Sequence, residues 1–170
     1  MRTYLLPLAS LLLVAPAVYG GSSQPAAIDA KAAFDRLRSL AGKWEAKTDR
    51  GDFEVAYEVI AGGSAVVERT VVENMPMETV YYLDNSRLLL THYCILGNQP
   101  RMEAREFNPA TGELKFEFLD VTNLATPGAA HMHNVAFRFP DADHLTADWQ
   151  LFENGRLKST ESFQFTRQRQ

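Results

Sequence analysis

Two residue pairs carry side chains able to bind metals or handle protons, and their spacing is regular: His92 with Cys94, and His131 with His133. Members of each pair stand two apart, so on a β-strand they share a face. His131 and His133 share parity with Val135, Phe137 and Phe139, a run that should face a core. His92 and Cys94 share parity with Leu88 and Leu90. The expectation is that all four point into one cavity. Three imidazoles and a thiolate form a donor set that suits zinc, or copper in some geometries. The same residues would also serve as plain hydrogen-bond anchors, because burial disfavours charged imidazole while the neutral ring still donates and accepts. Purely structural roles are the third reading. Asn98, Gln99 and Arg101 follow at the next turn. At the mouth of a pocket they would grip a carboxylate, with Arg101 bidentate; the plain alternative is a polar turn and an outward arginine. Tyr57 falls on an inward face, where its hydroxyl needs a partner.

Signatures of catalysis are not found. The sequence holds no nucleophile elbow with a Ser–His–Asp order, no His-Glu-x-x-His and no glycine-rich phosphate loop. With 17 basic and 21 acidic residues, the formal charge is −4, and the charges are scattered. That balance lacks the basic footprint of a nucleic-acid binder.

The N-terminus has the three parts of a secretory signal. Arg2 supplies a minimal positive start, residues 4–14 are almost wholly apolar, and Ala15-Pro16-Ala17 offers the small residues that signal peptidase accepts. The apolar run is too short, and too broken by Pro7 and Pro16, to read as a membrane span. Residues 1–17 are therefore expected to be a signal peptide, with a second acceptable cleavage point after Gly20, and residues 18–28 a flexible Gly/Ser/Pro/Ala leader. The expected location is periplasmic or secreted. Cys94 is the single cysteine, so an exported chain gains no internal disulfide. Residues 29–170 make one domain, long enough to bury a core.

The elements that must position these side chains follow from periodicity. Asp29 is a plausible N-cap, and Ala30, Phe34, Leu37 and Ala41 recur at helical spacing, with Gly42 placed as a C-capping glycine. Beyond Gly42 the period becomes two. Phe53, Val55, Tyr57 and Val59 alternate with polar or small residues, as do Leu114, Phe116 and Phe118, and Leu145, Ala147, Trp149 and Leu151. Each run is a strand with one wet face and one buried face. Turn chemistry separates them, as in Asp84-Asn85-Ser86, Asn108-Pro109-Ala110-Thr111-Gly112 and Glu153-Asn154-Gly155-Arg156. The alternation predicts about ten strands, near 43–48, 52–60, 64–73, 77–84, 86–95, 101–107, 112–119, 131–139, 143–153 and 157–167. Residues 120–130 are the one longer loop. Such a meander closes into an all-β, up-and-down antiparallel barrel that leaves no exposed edge.

Leu40-Ala41-Gly42-Lys43-Trp44-Glu45 resembles the opening of lipocalin-like barrels, where a short helix leads into Gly-x-Trp at the first strand. The resemblance implies that Trp44, after Gly42, plugs one end of the barrel. Thr91 to Met102, Asp120-Val121-Thr122-Asn123 and His131-Met132-His133 are similar to a family of exported bacterial domains of unknown function with calycin-like shape. That resemblance implies a fold and a compartment, and no reaction. The nitrobindins, ten-stranded haem-binding barrels, also share the Gly-x-Trp opening and would imply haem. This chain lacks the further glycines of that family, and its last histidine, His144, falls on the polar side of its strand.

The reading that results is an exported barrel holding an apolar or amphipathic small molecule, with no defined reaction. A His/Cys site for zinc or haem is one alternative. A structural or interaction module of the cell envelope is the other.

Overall fold

The computed structural model describes residues 28–48, 51–72 and 74–169. The expected signal peptide and nearly all of the leader lie outside the described residues. One helix, α1 (Ala30–Arg38), precedes ten strands. These are β1 (Gly42–Thr48), β2 (Gly51–Ile60), β3 (Ala65–Val72), β4 (Met75–Asp84), β5 (Arg87–Tyr93), β6 (Gln99–Asn108), β7 (Glu113–Thr122), β8 (His131–Arg138), β9 (His144–Glu153) and β10 (Arg156–Arg167). Each strand pairs antiparallel with its neighbour in sequence, and β1 returns to β10 through Trp44↔Arg167, Glu45↔Thr166 and Ala46↔Phe165. The sheet is thus a closed up-and-down barrel.

Asp29 caps α1, its Oδ1 accepting from the Ala32 N–H at 2.9 Å. Ala30, Ala33, Phe34 and Leu37 form the buried face. Two local expectations change. The helix stops at Ser39 and Ala41 is exposed, so Gly42 is not its C-cap. Gly42 instead opens β1 at φ +128°, with the Arg167 guanidinium 3.3 Å from where a Cβ would stand. β5 ends at Tyr93, because the Cys94 N–H bonds Asn98 O and the Gly97 N–H bonds Cys94 O, closing the hairpin early.

The two ends of the barrel differ. At one end Trp44, 1% exposed, donates from Nε1 to Leu40 O at 2.8 Å. Arg167 stacks its guanidinium 4.2 Å over the Trp44 ring and donates to the carbonyls of Ser39, Ala41 and Ala142. Arg36 lies over Phe139 and bonds Asp141 O, which ties α1 to the β8–β9 turn. This end is plugged. The far end carries the β3–β4, β5–β6 and β9–β10 turns and the loop 123–130, and no helix among the described residues. Strand pairing is sparser there: β7 and β8 are paired only from Glu113↔Arg138 to Phe116↔Val135, and β2 and β3 only from Val55↔Thr70 to Ile60↔Ala65. The helix is not long and apolar enough to cross a membrane.

Candidate functional site

Register aligns a polar row inside the barrel. Tyr57 on β2 stands opposite Glu68 on β3, Glu68 opposite Thr79 on β4, and Thr79 opposite His92 on β5. All four side chains are buried. Tyr81, two residues beyond Thr79, joins them with 0% exposure. Its hydroxyl donates to Glu68 Oε2 at 2.5 Å, and Tyr57 stands opposite Glu68 across the β2–β3 pair. Burial raises Glu68 to a pKa of about 7 although both tyrosine hydroxyls favour its charge. The two phenols are pushed well above their ordinary value, first by burial and then by the Glu68 charge.

His92 ends the row on β5, near the end of that strand away from α1. Its Nδ1 lies 2.8 Å from Thr79 Oγ1, and its ring sits 5.0 Å from the Trp149 ring, centroid to centroid. Nε2 is buried and has no partner. Burial alone lowers the ring to a pKa of about 4, so it is neutral at physiological pH.

The other histidine pair is arranged differently from the sequence expectation. A β-bulge between Met132 and Asn134 sets Met132 opposite Leu151 and His131 opposite Phe152. The extra residue interrupts the alternation that would have grouped both histidines with Val135, Phe137 and Phe139. Met132 is partly buried against the core, His131 is buried at 8% exposure, and His133 is intermediate. His131 Nε2 and His133 Nδ1 are 3.1 Å apart, and His131 Nδ1 reaches Ala129 O. The His133 ring is stacked between Phe118 and Phe152, at 4.3 and 4.0 Å. This cluster occupies the seam where β7 and β8 part. Burial and the neighbouring His131 both lower the His133 pKa.

The four-donor metal set is not assembled. Cys94 lies in the β5–β6 turn, half-buried, with its thiol pKa raised by burial. Among the described residues no three His, Cys, Asp or Glu side chains are grouped to hold a metal ion. His144 sits at the plugged end, exposed and bonded to Asp141, apart from the other histidines.

The residues expected at a mouth hold the wall together. Arg101 and Asp120 face each other across β6 and β7, and the guanidinium grips both carboxylate oxygens, which holds Asp120 below the usual carboxylate range. Arg101 is therefore committed to a half-exposed ion pair rather than to a ligand carboxylate. Such pairs contribute roughly 0–1 kcal/mol. Arg101→Ala is expected to cost about 0.5 kcal/mol in urea unfolding and to leave ligand affinity unchanged. Asn98 donates to Ala130 O at 2.9 Å and ties the loop 123–130 to the β5–β6 turn; its Oδ1 is buried without a partner. Gln99 bonds Gly97 O and Thr122 Oγ1 on the surface.

No family model matches the chain, and no curated protein matches it. Among solved structures, the crystal structure of Rv2717c from M. tuberculosis is similar, with a TM-score of 0.48 and 18% identity over 81% of this chain and 98% of that one.

Of this row the sequence points to Tyr57 and His92; Glu68 has no paired carboxylate nearby in the chain, and the parity of Tyr81 is ambiguous. One signal was available: Glu68 shares parity with Val66 on a strand that pairs with inward-facing neighbours. Two recesses lie elsewhere on the molecule. One, about 590 Å³, opens between α1 and the β6–β7 and β8–β9 turns. The other, about 580 Å³, lies where β2 and β3 part, against Val55, Thr70 and Met77.

Proposed function

We propose that this barrel binds an apolar or amphipathic small molecule at the end away from α1, with the molecule's polar end against His92. One observation carries the reading: a neutral imidazole at 5% exposure, held by Thr79 and Trp149, with a ring nitrogen lacking any partner. An unsatisfied buried polar atom costs about 1–3 kcal/mol. A ligand supplying the missing hydrogen bond recovers that cost, and the Trp149 ring beside His92 favours a hydrocarbon body.

The rim supports the same direction of approach. Of six exposed large hydrophobic side chains among the described residues, Val71, Met75, Tyr93, Leu96 and Leu157 all sit near hairpin turns at the far end; only Leu83 does not. An apolar molecule would meet that rim first. The sparse pairing of β2 with β3 and of β7 with β8 makes it the end that opens at least cost.

Native mass spectrometry of protein purified from its own host is expected to show a bound molecule of discrete mass, lost on His92→Phe. Apo protein alone, in both forms, would remove the reading. The same preparation tests export. We propose cleavage of the N-terminal segment, and the chain recovered from the exported fraction should begin at residue 18 or 21. A chain in that fraction still beginning at Met1, or a chain confined to the cytoplasm, refutes it.

A further inference from the structure

The loop 123–130 crosses the far end of the barrel as a strap. Asn123 donates from Nδ2 to Gly97 O, and Asn98 Nδ2 reaches Ala130 O at 2.9 Å, which pins the strap to the β5–β6 turn. On the other side the Asn154 N–H donates to Gly128 O at 2.9 Å, which pins it to the β9–β10 turn. A Cβ on Gly128 would stand 2.4 Å from Asn154 Oδ1, so the approach is as close as a glycine allows. Below the strap, β7 and β8 are unpaired beyond Phe116↔Val135. The Asn134 side chain spans that gap, accepting from the Phe118 N–H and donating to Gln150.

The two histidines stand where the strap enters β8. The Ala129 carbonyl only accepts, so the 3.0 Å contact puts a proton on His131 Nδ1. In the neutral ring Nε2 is then bare, and it accepts from His133 Nδ1, 3.1 Å away. Strap carbonyl, His131 and His133 are thus bonded in series. The His133 ring is clamped between Phe118 of β7 and Phe152 of β9, so the series ties the strap across the seam that backbone pairing leaves open.

Protonation acts on this series in two stages. A first added proton leaves the bond between the rings in place, because whichever ring carries the charge donates to the other. A second leaves every ring nitrogen carrying a hydrogen. The contact then sets N–H against N–H and charge against charge, with ring centroids 5.3 Å apart. Among the described residues neither ring bonds a carboxylate. The strap has no titratable side chain. On β7, Asp120 is gripped by Arg101, and Glu117 stands opposite Glu103. On β9, Asp148 pairs with Arg138 of β8, and Glu153 with Lys158. Cys94, in the β5–β6 turn, has its thiol pKa raised by burial. Burial and the neighbouring His131 hold His133 below its ordinary 6.5, so the closed arrangement is favoured above that value and loses ground as pH falls.

We propose that residues 123–130 form an acid-released strap, held at neutral pH by the Ala129–His131–His133 series and freed, together with the β7–β8 seam, when both rings become charged. Its use rests on the binding reading above, because the strap lies over the end where that molecule is placed. Its test needs no ligand, so either reading can fail alone.

The test is hydrogen exchange of the purified protein at pH 7.5 and pH 4.5, read by mass spectrometry and corrected for the intrinsic rate at each pH. Peptides covering 117–134 are expected to exchange about tenfold faster at pH 4.5, while those from α1 and the β1–β10 seam keep their protection. His133→Phe keeps a ring between Phe118 and Phe152 and removes one of the two charges. Its 117–134 segment is expected to exchange equally at both pH values. No acceleration in the wild type, an equal acceleration in His133→Phe, or one shared by the whole barrel overturns the inference. Should His133→Phe fail to fold, nitrogen NMR of the wild-type imidazoles decides: at pH 7.5 both rings are expected to carry the proton on Nδ1 with Nε2 bare, and a proton on His131 Nε2 refutes the series.

Discussion

Replacing Trp44 with alanine is expected to destabilise the protein by about 3–5 kcal/mol, the usual range for a buried aromatic reduced to a methyl group. The ring is 1% exposed, so the substitution leaves a cavity where α1 meets the sheet. It also removes the Nε1 hydrogen bond to Leu40 O and the surface on which Arg167 stacks. Arg167 is the residue that ties β10 to the α1–β1 connection and to the β8–β9 turn. Among the described residues the β1–β10 seam has three paired positions, one of them Trp44↔Arg167, so loss of the ring weakens the closure of the barrel itself. Trp44→Phe keeps most of the packing and is expected to cost about 1–2 kcal/mol, chiefly the indole hydrogen bond and the lost ring volume. Urea unfolding at constant m-value measures both. A loss under about 1 kcal/mol for the alanine variant would show that the ring does not close the barrel.

The second large effect is in the pH dependence of stability. Glu68 ionises near 4.5 in the unfolded chain and near 7 when folded. Folding therefore takes up a proton between those values, and stability falls across that window as pH rises. His92 behaves in the opposite sense, titrating near 6.5 unfolded and near 4 folded. Folding releases its proton, and stability rises from pH 4 to 6.5. Each contribution amounts to about 3 kcal/mol over its full window. Between pH 4.5 and 6.5 the two slopes cancel, so the wild-type protein is expected to show a nearly flat profile there. Glu68→Gln removes the falling limb. Its stability should climb from pH 4 to 6.5 and exceed that of the wild type by about 2–3 kcal/mol above pH 7, with little difference near pH 4. His92→Phe removes the rising limb and should lose stability steadily between pH 4.5 and 7. Urea midpoints taken across pH 4–8 read all three profiles. Parallel curves for the wild type and Glu68→Gln would mean that the carboxyl is not buried as described.

These two cases mark what was legible in the amino-acid sequence. Alternation after Gly42 located all ten strands to within a few residues, and Asn85, Gly112, Asn154 and Gly155 at positive φ explain why the turns fall where they do. The same period put Tyr57 and His92 on the inner face, where both are buried. The cap on α1, in which Asp29 accepts from the Ala32 N–H, was also readable, because a helix cap is a local interaction.

What alternation could not supply was neighbours. A period of two assigns each side chain to a face, but which residues meet across strands depends on register. Glu68 alone looks like an ordinary strand glutamate. It becomes a buried acid only because β2 brings Tyr57 opposite and β4 brings Tyr81 within reach. Arg101 likewise could grip a ligand carboxylate or simply point outward, and β7 decides by setting Asp120 against it. The bulge at His133 adds one residue to β8 and reverses the faces beyond it, an event that leaves no mark on the spacing of His131 and His133. The sequence by itself determined the strands and, away from the β8 bulge, their inner faces, because those depend on periodicity; the plug at Trp44 followed only from the likeness of Gly42-Lys43-Trp44 to lipocalin-like openings. Only the tertiary structure decided which polar groups share the interior, because long-range register brings them together from strands far apart in the chain.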